Sequence, residues 1–199
     1  MSSERRRLIV HITPGLDMGG LEKLLVEFAR HADRQRFALH FVSLVGRGVL
    51  AEEIEACGWP VTPLLQPEGF HPKLILRLAR LLRRWQADVI HTHDDRALLY
   101  GTFAGRLANV SRIIHTRHGR SPHLSRRQKM LVNTASRLLD RFVCVSDDSA
   151  SLAVSQGVRP RKVRTIRNGI DVQHFSFRGP RPDGPAVIVA RLSPEKDLD

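Results

Sequence analysis

An α/β fold, a parallel sheet flanked by helices, is what this 199-residue sequence predicts. Three observations carry the prediction. Short apolar runs with branched centres, the first being Leu8-Ile9-Val10-His11-Ile12, lack the polar alternation of a half-wet strand and suit strands buried on both faces. Amphipathic helical stretches separate these runs almost throughout, which is the pattern of βαβ crossovers. Turn residues stand where runs end, as at Gly19-Gly20 and Asn168-Gly169.

The first strand begins at Leu8, and the helix after it (about Leu21 to Ala32) carries Leu21, Leu24, Leu25 and Phe28 on one side. Phe37 to Leu44 is a second strand, roughly Leu50 to Cys57 a short helix, and Val61 to Leu65 a third strand. Pro72 suits the first turn of a helix, where its missing N–H is no loss. Leu74, Ile75, Leu78, Leu81, Leu82 and Trp85 follow at helical spacing, with Lys73, Arg77, Arg80 and Arg84 mostly elsewhere on the wheel. Such a basic amphipathic helix either lies on a membrane or covers a sheet, and covering a sheet is the commoner use. Ala87 to His93 is a fourth strand, Arg96 to Leu107 a helix, and Ser111 to Thr116 a fifth strand. A basic segment then leads into a helix ending near Leu139. Arg141 to Val145, Asp147 to Gln156 and Val163 to Ile166 complete the series as strand, helix and seventh strand.

Residues 1–178 are expected to form the first domain and 179–185, rich in Pro and Gly, a linker. Residues 186–199 open a second domain with the strand Ala186 to Ala190 and a loop entering a helix, Ser193 serving as N-cap and Pro194 as first helical residue. The chain stops soon after, so a truncated second domain is expected.

A hydrophobic share of 42% with 26% charged residues allows a substantial core. No run of about 18 apolar residues offers a membrane span, and no signal-peptide core follows Met1 to Arg7, so a cytoplasmic protein is expected. Cys57 and Cys144 lack metal-like spacing and are expected to be buried, reduced thiols. The net charge of +12 attracts nucleic acid, anionic lipid or phosphorylated small molecules. The basic residues Arg117, Arg120, Arg126, Arg127, Lys129, Arg137 and Arg141 are opposed between 117 and 141 only by Asp140. A solvated helix face is the default for them, and contact with an anionic membrane the functional alternative. Without interleaved aromatic residues, single-stranded nucleic acid is disfavoured.

Gly19 and Gly20 stand where a strand has ended and a helix begins. Glycine there permits positive φ and a close ligand approach, and free N–H groups at a helix start favour a phosphate; a plain tight turn is the alternative. His118 lies just beyond the fifth strand's C-terminal end, the edge where open parallel sheets bind ligands, though a surface-loop histidine would look the same. His91 and His93 share one strand face. With Asp94 and Asp95 nearby, and His115 or His118 as further ligands, they also permit the metal site of a hydrolase, which would leave the glycine loop without a role.

Gly19-Gly20-Leu21-Glu22 resembles the glycine loop of the family-4 glycosyltransferases, retaining enzymes of the GT-B fold. Asp88-Val89-Ile90-His91-Thr92-His93, Thr116-Arg117-His118-Gly119, Val143-Cys144-Val145-Ser146 and Asn168-Gly169-Ile170-Asp171 are similar to further family segments in the same order. Ala190-Arg191-Leu192-Ser193-Pro194-Glu195-Lys196 resembles the family's GRLxxEKG loop, with Ala190 for the usual glycine and Asp197 where glycine often follows the lysine. The resemblance implies two Rossmann-like domains facing across a cleft, the first mostly for the acceptor and the second mostly for a nucleotide sugar. It implies that Arg191 and Lys196 bind the donor diphosphate, with Gly19 and Gly20 supplying N–H groups from the opposite wall. His118 would contact the donor sugar as the catalytic residue, and His93 would line the acceptor side. No metal or other cofactor is implied, since fixed cations and N–H groups would neutralise the departing diphosphate. The implied reaction is retaining transfer of a sugar to a glycan or lipid-linked acceptor in cell-surface polysaccharide synthesis, with residues 1–199 inactive alone. The competing reading is a non-catalytic basic domain that binds nucleic acid or anionic lipid.

Overall fold

The computed structural model describes residues 5–66, 69–119, 125–173, 175, 176, 179 and 183–185. The chain divides into two compact units, 1–168 and 169–199. The first holds β1 (Arg7–Thr13), α1 (Gly20–His31), β2 (Phe37–Ser43), α2 (Ala51–Ala56), β3 (Val61–Pro63), α3 (Pro72–Trp85) and β4 (Val89–His93). It continues with α4 (Asp95–Leu107), β5 (Arg112–Arg117), α5 (Arg126–Leu138), β6 (Arg141–Cys144), α6 (Asp147–Ser155), a 3-10 turn (Pro160–Lys162) and β7 (Val163–Thr165). In the second unit, Asp171 caps a short turn by accepting from the Gln173 N–H at 2.9 Å. The expected strand Ala186 to Ala190, with Arg191 and Lys196 after it, lies outside the described residues.

All seven strands run parallel in the order β3-β2-β1-β4-β5-β6-β7, a Rossmann-like sheet. The chain winds outward from β1 to β3, crosses back through α3, and winds the other way from β4. The reversal leaves a crevice outside the C-terminal ends of β1 and β4, where open α/β sheets take their ligands.

Alternation along the strands separates two cores. Leu25, Val26 and Ala29 of α1 and Ile54 of α2 pack with Leu39 and Phe41 on one face. On the other, α3 to α6 bury Val10, Ile12, Val42, Ile90, Ile113 and Phe142. Leu74, Leu78, Ala79 and Leu82 of α3 are buried in that second core, so the basic amphipathic helix covers the sheet. Among the described residues no helix is long and apolar enough to cross a membrane. Both cysteines are free thiols; Cys144 is buried as expected, but Cys57, at the end of α2, is only half-buried.

Helix α4 lies against the strands along Gly101 and Gly105, one turn apart. A Cβ built on Gly105 would stand 2.5 Å from Ile90 Cδ1 and 2.8 Å from Ile113 Cδ1. Gly105→Val is therefore expected to destabilise the protein by about 2 kcal/mol through overpacking. A lower urea midpoint with an unchanged m-value would register it.

Candidate active site

A polar column interrupts the sheet at the crevice. Strand alternation sends His11 of β1 and His91 and His93 of β4 to the face carrying α1, beside Phe41 and Phe28. His11 Nδ1 and His93 Nε2 are hydrogen-bonded at 3.1 Å, and His93 Nδ1 pairs with His118 Nε2 at 2.9 Å. His91 Nε2 is bonded instead to Thr116 Oγ1, 2.7 Å away on β5. The His93 ring is 0% exposed. With both its nitrogens engaged, it reaches a ligand only through His118, a different position from the open acceptor wall expected of it.

Burial dominates the electrostatics. It lowers the His11 pKa to about 3 and that of His118, which is half-buried, to about 4. His91 and His93 are pushed well below the usual imidazole range by burial first and by neighbouring histidines second. All four rings are therefore neutral at pH 7. His118 Nδ1 is buried and without a hydrogen-bond partner among the described residues.

His11, His91 and His93 hold their nearest ligand atoms within 4.8 Å of one another, close enough for a metal. His118 joins them only by its bond to His93, and His115 does not join them at all. It faces the opposite core, with Nδ1 3.0 Å from Thr92 Oγ1 and its ring edge-on to Phe142. A metal would also have to displace the hydrogen bond between His11 and His93.

Gly19 is the N-cap of α1 and has φ −166°, extended backbone open to any residue. Gly20 likewise avoids positive φ, so the turn does not need glycine for the conformational reason anticipated. At Gly19 the Glu22 carboxylate lies where a Cβ would stand, and at Gly20 the backbone is bare. No side chain caps α1, and nothing lies within 4 Å of where a Gly20 Cβ would be, so that corner is open to solvent. The loop before it is backed by Leu44, Val45 and Leu50, whose N–H groups donate to Thr13, Pro14 and Leu16 carbonyls at 3.0, 2.9 and 2.9 Å.

Asp94 joins β4 to α4 at φ +79°, a strained conformation for a residue other than glycine, and its carboxylate accepts from the Arg96 N–H at 2.9 Å. Next to it, Asp95 meets Arg117 at 3.6 Å. Arg117 is only 3% exposed, donates to Gln156 Oε1 at 2.7 Å and lies 5.0 Å from the Phe142 ring centre. It therefore cannot belong to a membrane-facing basic segment: the end of β5 turns it inward. Burial raises the Asp95 pKa, and Arg117 opposes the rise. Asp95 also lines a cleft of about 210 Å³ between α4 and α5, with Leu99, Gln128, Leu131 and Ala135.

Helix α5 keeps Arg126, Lys129 and Arg137 exposed beside Met130, which is 62% exposed. A capping box between Ser125 and Gln128 holds its start, and Lys162 Nζ donates to the Ser136, Arg137 and Leu139 carbonyls at 3.1, 2.6 and 2.6 Å at its end. Arg120 lies outside the described residues.

The structure thus joins His93 and His118, and sets Gly19 and Gly20 at the end of the neighbouring strand. Arg191 and Lys196 lie outside the described residues. Sequence reasoning missed His11, and it named Asp95 and Arg117 without their pairing, the first only beside a possible metal site and the second in the basic segment. A lone histidine inside the apolar run 8–12 was the available signal for His11, since a buried polar group needs a partner.

Comparison with known proteins bears on the fold and the family. An Escherichia coli UDP-Gal:alpha-D-GlcNAc-diphosphoundecaprenol alpha-1,3-galactosyltransferase is 29% identical over 111 residues, covering 52% of this chain and 29% of the relative. A Staphylococcus aureus capsular polysaccharide biosynthesis glycosyltransferase, CapH, is 23% identical over 197 residues, covering 92% and 53%. Among solved structures, Anabaena Alr3699/HepE in complex with UDP and glucose superposes with TM-score 0.69 at 19% identity, covering 83% of this chain and 45% of that one. A Rickettsia africae glycosyltransferase does so with TM-score 0.71 at 18% identity, covering 89% and 47%. The chain spans at most about half the length of these relatives, and the fold they share with it is the N-terminal half of GT-B. Residues 18–174 match the profile of Glycosyltransferase Family 4, and the chain belongs to that family.

Proposed function

We propose that the whole protein transfers a sugar from a nucleoside-diphosphate donor to a glycan or lipid-linked acceptor, with retention of anomeric configuration, in the synthesis of a surface polysaccharide. The observation that carries the reading is His118: a neutral imidazole at the sheet's C-terminal edge with one ring nitrogen bonded inward and the other without a partner among the described residues. That second nitrogen is buried in this structure, so the ring meets a sugar once ligand binding uncovers it, and being neutral it does not compete for the diphosphate. The N-terminus of α1, with no side-chain cap and open space at Gly20, suits the phosphates once the Glu22 carboxylate over Gly19 swings aside, with Arg191 and Lys196 as their cationic counterpart. In this reading the leaving group is stabilised by fixed N–H groups and cations, no metal takes part, and the cleft must close for turnover. Relatives named for a diphosphoundecaprenol-linked substrate and for capsular polysaccharide support the acceptor class. The exposed Arg126, Lys129, Met130 and Arg137 of α5 suit contact with the anionic membrane in which such an acceptor sits.

His118→Ala in the full-length protein is expected to lower kcat on the order of 100-fold, with a smaller change in donor KM and an unchanged circular dichroism spectrum. Transfer from UDP-sugars to a prenyl-diphosphate-linked saccharide, with and without EDTA, is the assay. Wild-type rates in the variant, loss of activity with EDTA, or turnover by residues 1–199 alone would each overturn part of this reading.

A further inference from the structure

Three of the four clustered imidazoles form one line. His118 Nε2 meets His93 Nδ1 at 2.9 Å, and His93 Nε2 meets His11 Nδ1 at 3.1 Å. A neutral imidazole has one N–H and one lone pair, so the central His93 must donate on one side and accept on the other. The two bonds are thereby linked, and only two proton arrangements satisfy both. One leaves His118 Nδ1 as a buried N–H without a partner, and the other leaves it as a bare lone pair. Orphaned buried donors are the rarer of the two in folded proteins. His91 takes no part, because its Nε2 is held by Thr116.

We propose that His93 and His11 are positioning residues that hold His118 in its Nε2–H tautomer, through the relay His118 Nε2–H to His93 Nδ1 and His93 Nε2–H to His11 Nδ1. Nδ1, buried in this structure, is then a hydrogen-bond acceptor; uncovered by ligand binding, it suits a hydroxyl and not a phosphate oxygen. This assignment rests on the reading of His118 as a ligand-contacting residue, but the relay itself is measurable without turnover. Phe28 and Phe41 stack on His11, with ring centres 5.6 and 4.9 Å away, so His11→Phe keeps an aromatic ring in place while removing the acceptor. His11→Asn returns a polar group near the Nδ1 position.

The experiment is 15N NMR of the histidine-labelled protein. Couplings across the two N–H···N bonds are expected in the wild type, with His118 as a single Nε2–H tautomer. His11→Phe is expected to abolish the coupling to residue 11 and turn His118 into a mixture of tautomers, and His11→Asn to restore the single form. The relay is overturned by missing couplings in the wild type, a measurement that stands even where His11→Phe fails to fold. An unchanged His118 tautomer in folded His11→Phe overturns it too. So does a joint shift of His11, His91 and His93 with one equivalent of Zn2+, which would make the cluster a metal site. If the relay holds and His118→Ala still transfers sugar at the wild-type rate, the functional reading fails while the relay stands.

Discussion

Acidified from pH 7, the protein is expected to unfold cooperatively near pH 5, well above the range where carboxylates alone act. Six histidines, His11, His40, His91, His93, His115 and His118, are held neutral chiefly by burial. In the unfolded chain each would titrate at 6.5, whereas the folded values are about 3 for His11 and His115 and about 4 for His40 and His118. Below pH 6.5 the unfolded state therefore binds protons that the native state refuses, and stability falls as the pH falls, until the folded pKa values are passed. Each histidine removes up to about 1.4 kcal/mol per pH unit. Six acting together exhaust a typical stability of about 10 kcal/mol within roughly two pH units. Far-UV circular dichroism between pH 7 and 4 reads the transition, and its steepness reports the number of protons taken up. A native signal that persists to pH 3.5 would contradict the account.

The second large effect concerns Arg117. Replacing it with methionine is expected to destabilise the protein by about 2 to 3 kcal/mol, because Arg117 is buried, Asp95 is half-buried, and losing the guanidinium leaves the carboxylate uncompensated. Asp95 would lose the guanidinium that opposes the desolvation of its carboxylate. Gln156 would lose a 2.7 Å donor as well. Arg117→Met combined with Asp95→Leu is expected to recover a good part of the loss, since replacing both charges removes the desolvation cost instead of exposing it. Urea denaturation of the two variants makes the comparison. Equal stabilities would show that the pair contributes nothing as a pair.

The elements themselves were legible along the chain. All seven strand runs and the helices between them fall within a few residues of their observed bounds, because buried parallel strands leave uninterrupted apolar runs and crossover helices leave a 3.6-residue period. Strand order was not legible in the runs themselves and came only with the resemblance, through the Rossmann-like sheet it implies. Nothing between Leu65 and Pro72 announces that the chain crosses back to place β4 beside β1, yet this crossing brings His11 to His93. Arg117 was misassigned for a similar reason: its sequence neighbourhood is basic, while its spatial neighbourhood is Asp95, Phe142 and Gln156. At Gly19 the positive φ that glycine permits is not used, and the Glu22 carboxylate lying where a Cβ would stand, three residues on in α1, could not be read from the residue type.

The seam along α4 reverses a rule of thumb of protein stabilisation. Exchanging a helical glycine for alanine ordinarily gains up to about 1 kcal/mol, and Gly20 has the room for it. At Gly101 and Gly105 the added methyl would instead wedge the helix off Thr92, Ile90 and Ile113. Any programme to harden this protein by rigidifying its backbone must begin by exempting those two positions. Gly20, a helical glycine with room for the exchange, sits on the corner proposed to meet the donor phosphates, where added robustness would come at the expense of turnover.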